Sequence, residues 1–593
     1  MADTMWNDVL YTDVMQSPGY DVDYAICTTY SLDMPTLLSV PFMMGTMSEL
    51  NDAAMKSPHI VLEAISRAAG KFVVFCNAGC ISVPKNDSKV YSLLEKCVVQ
   101  MALPAKGKGF VNFHPKVWMI KETNRDDNSQ RIKVVVMSRN LTGSNDLDVV
   151  CELTGDIGNT VVQKEKHKPL MDFLDYLEMA SKGNVKKIVD GMKADISKVK
   201  RFSLEDNPMF QDYDFFPMGI EGHNGKDVYE NVILKDAYEA VVISPFVDEP
   251  TLNKLKNGHR KTLITRHNSV TPDIMALFKD NDGVFAVKEV MTDRQEGDVA
   301  VDIHEKVYFI HDNNSKKNYL YLGSTNATQN GFDRNVEFLL RLTFKPSIMS
   351  YNKFRGELIN DSKECMFEQV FSVPDDNGEE DDKAKDEEWK IREAISRIEK
   401  GRIERCDNDK FSITIGCRSG VEASEAKVNP LYCAGMISPL TNGVRFNDVS
   451  LVQLSEFFVL TVGDTKRVVK IECSNMPTDE RDMAVYRSVI DTKSKFINYL
   501  SFMLTDDEDQ FIAECSQLEH ELQHNGGSAN DIPLSTSLYE DMVRMAYCCP
   551  ERIASIRRVM EKVDEQVLPA HFKEMYKQFE AAIKKIKRYE RRG

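Results

Sequence analysis

Two hydrophobic patterns take turns along residues 20–350. Short uninterrupted apolar runs, such as Lys71-Phe-Val-Val-Phe-Cys76, predict strands buried on both faces. Between the runs lie segments with helical spacing. Asp23-Tyr-Ala-Ile-Cys-Thr-Thr-Tyr-Ser-Leu-Asp33 predicts a strand leading into a turn. Pro35 then opens a helix, where its missing N–H costs nothing. The same order returns later. Tyr238-Glu-Ala-Val-Val-Ile-Ser-Pro-Phe-Val-Asp-Glu-Pro250 repeats the strand, turn and Pro-opened helix, and Lys261-Thr-Leu-Ile-Thr-Arg266 repeats the second strand. Two further strands complete each copy. Strands separated by helices imply an α/β fold, here two pseudo-symmetric half-domains with layered mixed sheets at about 20–160 and 225–350. Leu170, Phe173, Leu174 and Leu177 follow helical spacing, so 160–200 is expected to be a helical connection.

Beyond 374 the pattern changes. Asp375-Asp-Asn-Gly-Glu-Glu-Asp-Asp-Lys-Ala-Lys-Asp-Glu-Glu388 is a charge run, expected to be a solvated linker or helix start. The division expected is 1–200, 201–374, an acidic linker at 375–390, and a C-terminal α+β domain at 391–593 that binds substrate or a partner. In that last region Phe457–Val462, Gly463-Asp464 and Arg467–Glu472 predict a hairpin. Phe496, Tyr499, Leu500 and Met503 form a helical core stripe, and the stretch Ile583–Arg592 is basic and amphipathic.

Composition narrows the class. At 593 residues the chain exceeds one core. No apolar run reaches the roughly 18 residues that span a bilayer. The first residues carry no basic segment followed by an apolar one, so a cytoplasmic location is expected. Thirteen scattered cysteines fit reduced thiols better than a disulfide framework. The net charge of −17 counts mildly against a nucleic-acid binder, although binding depends on a local patch rather than the sum.

The repeat carries chemistry. The first copy holds His114-Pro-Lys116 and, further on, Ser138-Arg-Asn140; the second holds His304-Glu-Lys306 and Ser324-Thr-Asn326. On a strand, residues i and i+2 point the same way, so each His and Lys is expected to face one side, with Val117 and Val307 facing the layer. An imidazole and an ammonium on one side of a strand, with an amide from the neighbouring strand, suit a phosphate. Lys and Asn can hold non-bridging oxygens, and His can attack phosphorus or donate a proton.

The paired phrases resemble the His-x-Lys…Ser-x-Asn motifs of the phospholipase D superfamily, over roughly residues 20–350. The resemblance implies two halves making one site across a pseudo-twofold axis, a covalent phosphohistidine on one His, acid–base work by the other, and no metal or cofactor. It implies His114 as nucleophile and His304 as general acid and base, with Lys116, Lys306, Asn140 and Asn326 around the phosphate. The family often has an acidic residue about a dozen positions after the Asn that orients a His, which points to Glu152 and Glu337. Many members carry an Asp five residues after the Lys; here Lys121 and His311 stand there. That departure shifts the resemblance from lipid enzymes toward nuclease-type bacterial members.

Substrate contacts are expected from Ser138, Ser324, Arg139 and Arg334, and from Lys106 and Lys108 in the Gly-containing loop before His114. Arg266 and His267 add to a basic rim; Phe113, Trp118 and Tyr308 could stack bases or be core. His520-Glu-Leu-Gln-His524 matches a zinc motif in letters, but Asn-Gly-Gly follows at once and leaves little helix for a third ligand. Cys76 and Cys80 lack a second ligand pair. No Walker A sequence is present, so any ATP-driven step belongs to a partner. The expectation is a metal-independent phosphodiesterase, foremost a DNA nuclease, with a helicase or ATPase partner in a bacterial defence or restriction system. The alternatives are a lipid hydrolase, an enzyme clearing adducts from DNA ends, and a non-catalytic scaffold. Whether copies of the chain associate into a homo-oligomer is open.

Overall fold

A computed structural model describes residues 14–590 except 16, 45–57, 87, 105–109, 145, 159–162, 205–207, 256–257, 279–281, 289–301, 361–364, 374–377, 419–424, 505–537, 549 and 570. The His520–His524 stretch, Lys106 and Lys108 lie outside the described residues.

The first half is a six-stranded mixed sheet. Its strands are β1 (Tyr20–Thr29), β2 (Phe72–Asn77), β3 (Val98–Met101), β4 (Val117–Asn124), β5 (Gln130–Met137) and β6 (Val150–Asp156), in the order β3-β2-β1-β4-β5-β6. The pairs β3–β2 and β2–β1 are parallel and the rest antiparallel. All six residues of β2 are buried, as its unbroken apolar run requires. Helix α1 (Met34–Met43) follows β1; the Asp33 carboxylate caps it by accepting from the Thr36 N–H, and Pro35 lies in its first turn. Helix α2 (Pro58–Ala68) leads to β2.

The connection at 160–200 is helical, as α3 (Lys164–Met179) and α4 (Gly183–Ile196). The expected stripe Leu170, Phe173, Leu174 and Leu177 is wholly buried.

The second half repeats the first. Strands β7 (Asp212–Met218), β8 (Ala237–Ile243), β9 (Arg260–Ile264), β10 (Val284–Val287), β11 (Val307–Asp312), β12 (Lys317–Gly323), β13 (Glu337–Phe344) and β14 (Phe367–Gln369) form one sheet. Its order is β14-β10-β9-β8-β11-β12-β13-β7. Without the edge strands β7 and β14 this is the first sheet again, with the same parallel and antiparallel pairs. Even the cap recurs: Asp248 accepts from the Thr251 N–H ahead of a short helix containing Pro250.

The two sheets share a core. Ile26, Phe75, Met119 and Val134 of the first join Val241, Phe309, Phe338 and Leu340 of the second, together with the α3 stripe. The other face of the first sheet packs on α1, α2 and the C-terminal helices.

From residue 378 the acidic run is the helix start rather than a linker, and it forms the front of α5 (Gly378–Arg397). The Glu387 carboxylate accepts from the N–H groups of Asp464 and Thr465 and from the Thr465 hydroxyl, which ties the helix to a turn 77 residues away. Two four-stranded sheets follow, β19-β16-β15-β22 and β18-β17-β20-β21, built from β15 (Ile398–Arg405), β16 (Lys410–Cys417), β17 (Lys427–Pro430), β18 (Ser438–Pro439), β19 (Val444–Ser450), β20 (Phe457–Val462), β21 (Thr465–Lys470) and β22 (Cys473–Ser474). The pair β20–β21 is the expected hairpin. Helices α6 (Thr478–Val489), α7 (Lys493–Leu504), α8 (Leu538–Cys548), α9 (Pro550–Lys562) and α10 (Phe572–Glu590) close the chain. Phe496, Tyr499, Leu500 and Met503 are fully buried in the cluster that includes α1 and α2.

Among the described residues, no helix is long and apolar enough to cross a membrane.

Candidate active site

The site forms where the halves are stitched together. Phe113 bridges Val336, and Ile303 bridges Leu147. Each of these four residues stands one place before a titratable group, so the bridges bring each histidine against a carboxylate of the opposite half. The backbone repeats faithfully: the His114 N–H donates to the Val336 carbonyl at 2.9 Å, and the His304 N–H to the Leu147 carbonyl at 2.9 Å. The side chains follow. His114 Nδ1 meets Glu337 Oε2 at 2.9 Å, and His304 Nδ1 meets Asp148 Oδ1 at 2.9 Å. A carboxylate on Nδ1 makes that nitrogen the proton donor and leaves Nε2 for chemistry.

Glu337 therefore sits on a histidine, but Glu152 does not. Glu152 lies on β6 with Oε2 3.8 Å from Lys133 Nζ. The strand registers explain the difference. Met137 pairs with Val150 where Gly323 pairs with Leu339, which aligns Asp148 with Glu337. Counting from the Asn misplaces the first carboxylate because the stretch from Ser324 to Glu337 is three residues longer than that from Ser138 to Asp148. An acid ten residues after Ser138 was the available signal.

Ser138 and Ser324 also differ from expectation. Both are fully buried. Ser138 Oγ donates to Asp148 Oδ1 at 2.7 Å and accepts from the Val149 N–H at 2.9 Å. Ser324 Oγ donates to Glu337 Oε2 and accepts from the Phe338 N–H at 2.9 Å. These serines hold carboxylates rather than a substrate. A glycine is needed before Ser324 because a Cβ on Gly323 would lie 2.3 Å from the Phe338 carbonyl oxygen.

His-x-Lys lies just ahead of β4 and β11, not within them. Lys116 and Lys306 turn back, and each Nζ donates to the carbonyl of its own histidine, at 2.9 Å for Lys116. Both ammoniums are almost fully buried. Val117 and Val307 face the shared core. Asn140 and Asn326 occupy matching turns, their carbonyls accepting from Thr142 and Thr328 N–H at 2.8 Å. The Asn326 side-chain oxygen is buried with no hydrogen bond among the described residues.

Burial governs the protonation of this cluster. Desolvation pulls His114 down to about 4, against the opposing pull of Glu337. Desolvation and then Lys306 pull His304 down to about 3, against Asp148. Lys306 falls to about 7, through burial that Asp148 only partly offsets, and burial with the Lys306 charge holds Lys116 well below the usual lysine range. Burial and the nearby Asp148 raise Glu305, between His304 and Lys306, to about 7. Asp148 stays low: burial raises it, but the bonds from His304 and Ser138 and the positive charges outweigh that.

Other expected contacts fall less centrally. Arg139 Nη2 donates to the Ser144 carbonyl, with Nε 4.0 Å from Asp148. Arg334 is exposed. Phe113, Trp118 and Tyr308 are buried core aromatics and cannot stack a base. Residues that were not singled out lie closer. The Tyr30 ring centroid is 5.0 Å from that of His114, and Asn335 Nδ2 donates to Glu337 Oε1 at 3.1 Å.

No protein-family model and no curated protein matches the chain. Among solved structures it is similar to a polyphosphate kinase from Porphyromonas gingivalis, at 12% identity over 58% of this chain and 44% of that one, with a TM-score of 0.30. It is also similar to a mutant of yeast tyrosyl-DNA phosphodiesterase, at 11% identity over 59% and 88%, TM-score 0.36. NucT from Helicobacter pylori matches at 19% identity over 24% of this chain and 92% of that one, TM-score 0.19. The chain thus spans less than half of the polyphosphate kinase. These likenesses are slight, and the chemistry of the site is read from its own geometry.

Proposed function

We propose that the protein is a phosphodiesterase of the phospholipase D type that cuts DNA through a covalent phosphohistidine. The observation that carries this reading is the twofold pairing of His114 with Glu337 and His304 with Asp148 across the two halves, each beside a buried lysine. Lys116, Lys306 and the amides of Asn140 and Asn326 hold the non-bridging oxygens. His114 Nε2 attacks phosphorus, and the bond to the leaving oxygen breaks. His304, protonated at Nε2, gives that oxygen its proton. Neutral His304 then takes a proton from water as the water oxygen attacks phosphorus and the P–N bond breaks. The phosphate charge raises the histidines from their low values, so substrate itself brings the needed proton into range. Glu337 and Asp148 stabilise each imidazolium and keep its tautomer.

Flat, partly exposed side chains beside the site favour nucleic acid. Phe110 and Trp389 lie with ring centroids 4.5 Å apart, and the Arg266 guanidinium sits 4.9 Å from the centroid of exposed Phe246.

Labelled single- and double-stranded DNA in excess EDTA tests the proposal. Nicking that persists in EDTA and disappears in His114→Ala and His304→Ala is expected. Strict dependence on added metal, or unchanged cleavage in those variants, would overturn the mechanism. Headgroup release from phosphatidyl lipid without DNA cleavage would replace the substrate with a lipid, and turnover confined to DNA 3′ adducts would replace it with an end.

A further inference from the structure

Each half treats the residue two places before its histidine alike, yet takes that residue's partner from a different source. In the second half Asp302 pairs with Arg266, Nε to Oδ2 at 2.8 Å, and Arg266 Nη2 also donates to the Ile303 carbonyl at 3.0 Å. Arg266 follows β9 and belongs to the same half. In the first half, Thr28 pairs with Phe75 where Ile243 pairs with Ile264, so Asn77 stands in the place of Arg266. Asn77 Oδ1 accepts from the Phe113 N–H at 2.8 Å, and its Nδ2 donates to the Ala78 carbonyl at 3.2 Å. The arginine comes instead from α5. Arg392 Nη1 donates to Asn112 Oδ1 at 2.5 Å, and Nη2 donates to the Tyr30 hydroxyl at 2.5 Å.

A chain of bonds leads from there to the imidazole. The Asn112 N–H donates to Asn335 Oδ1 at 3.2 Å, Asn335 Nδ2 donates to Glu337 Oε1, and Glu337 Oε2 holds His114 Nδ1. Tyr30 adds a second arm. Its ring packs beside His114, and Lys116 Nζ lies 5.9 Å from its centroid. Helix α5 is firmly placed for this task. Ile391 and Ala394 are buried in the core of the C-terminal sheets. At the turn after β2, Gly79 has a φ of +76°, and a Cβ there would lie 2.3 Å from Ile395 Cδ1.

Resting on the phosphodiesterase reading, we infer that Arg392 is a positioning residue for His114, supplied by the C-terminal region in place of the arginine that the second half supplies for itself. A guanidinium fixes two acceptors at once in a rigid fork, which an amide at position 77 cannot do. The two histidines are then unequal. His114 depends on the C-terminal region through Tyr30 and Asn112, and His304 is held within the duplicated halves.

The full chain, labelled with ¹⁵N-histidine, tests this by NMR, with signals assigned from His114→Ala and His304→Ala spectra. Arg392→Ala removes a positive charge and admits water, and both favour imidazolium. The His114 titration midpoint is expected to rise by about one unit while that of His304 stays in place. On a chromogenic phosphodiester, kcat is expected to fall about tenfold with KM changed less than about threefold, and Arg392→Lys to recover part of the loss. Coincident His114 signals in folded wild type and variant, or equal shifts at both histidines, would overturn the inference. Should Arg392→Ala fail to fold, Arg392→Gln, which keeps amide donors, carries the same comparison. Absence of turnover in the wild type would sink the phosphodiesterase reading, and the spectra would still decide the role of Arg392.

Discussion

A carboxylate on each Nδ1 is what separates a catalytic imidazole from a buried one, and here the two carboxylates differ in kind and in legibility. Glu337→Gln and Asp148→Asn are each expected to lower kcat by about 10²-fold or more, since a neutral amide stabilises imidazolium poorly and permits the wrong tautomer. Glu152→Gln, remote from His304, is expected to change kcat less than about threefold. Rates of the three purified variants on one substrate check this; a large loss only in Glu152→Gln would invert the assignment.

Protonation makes a second prediction at this scale. Turnover needs one neutral and one protonated histidine, and burial holds His114 at about 4 and His304 at about 3. Lys306 also loses its charge through about 7. Hence kcat/KM is expected to rise as pH falls from 8 to 5, with an acidic optimum. Stability moves the other way. A histidine lowered from 6.5 to about 4 binds fewer protons folded than unfolded in that window, so folding free energy is lost as pH drops through it. An activity maximum above pH 8 would contradict the assigned groups.

Elements meet in this protein through a few buried polar ties. Arg481 of α6 is 1% exposed and forms an ion pair with Glu95, which also accepts from the Ser455 hydroxyl and the Glu456 N–H. Burial raises the Glu95 carboxyl even so. Removing one partner strands a buried charge, so Arg481→Ala is expected to cost about 3–5 kcal/mol. Replacing both, as Arg481→Met with Glu95→Leu, is expected to cost less than Arg481→Ala alone. Thermal unfolding of the single and double variants settles the order. At the strand end before Ser324, Gly323→Ala must push the β13 backbone aside, because the new Cβ would lie 2.3 Å from the Phe338 carbonyl oxygen. That displaces Glu337 from His114, so kcat is expected to fall while KM holds.

The whole molecule is less divisible than its sequence pattern. Buried side chains of α1, α2, α7, α9 and α10 belong to one cluster with Trp118 and Ile120 of β4. A chain ended at residue 374 would expose that face, including Leu37, Leu62 and Ile120. It is expected to be insoluble or to melt far below the full chain, which expression and calorimetry would show. A soluble 1–374 fragment with wild-type turnover would refute both the shared core and the positioning role of Arg392.

Much of this was written in local order. The duplication, the element sequence of each half, the hairpin at 457–470 and the His, Lys and Asn set all follow from periodicity and spacing, because strand burial and turn chemistry act over a few residues. Glu337 was legible by its distance from Asn326. Asp148 was not, because the strand register and the length of an intervening loop decide which acid faces His304. The roles of Ser138 and Ser324 as holders of carboxylates required their burial to be known. Arg392 was invisible just past a run of charges. Only packing of α5 against the first half, across 280 residues from Asn112, shows where its guanidinium ends. Chain order carries the periods and the motifs; contacts between residues hundreds of positions apart are set by the shared core, and the pairing of each histidine is such a contact.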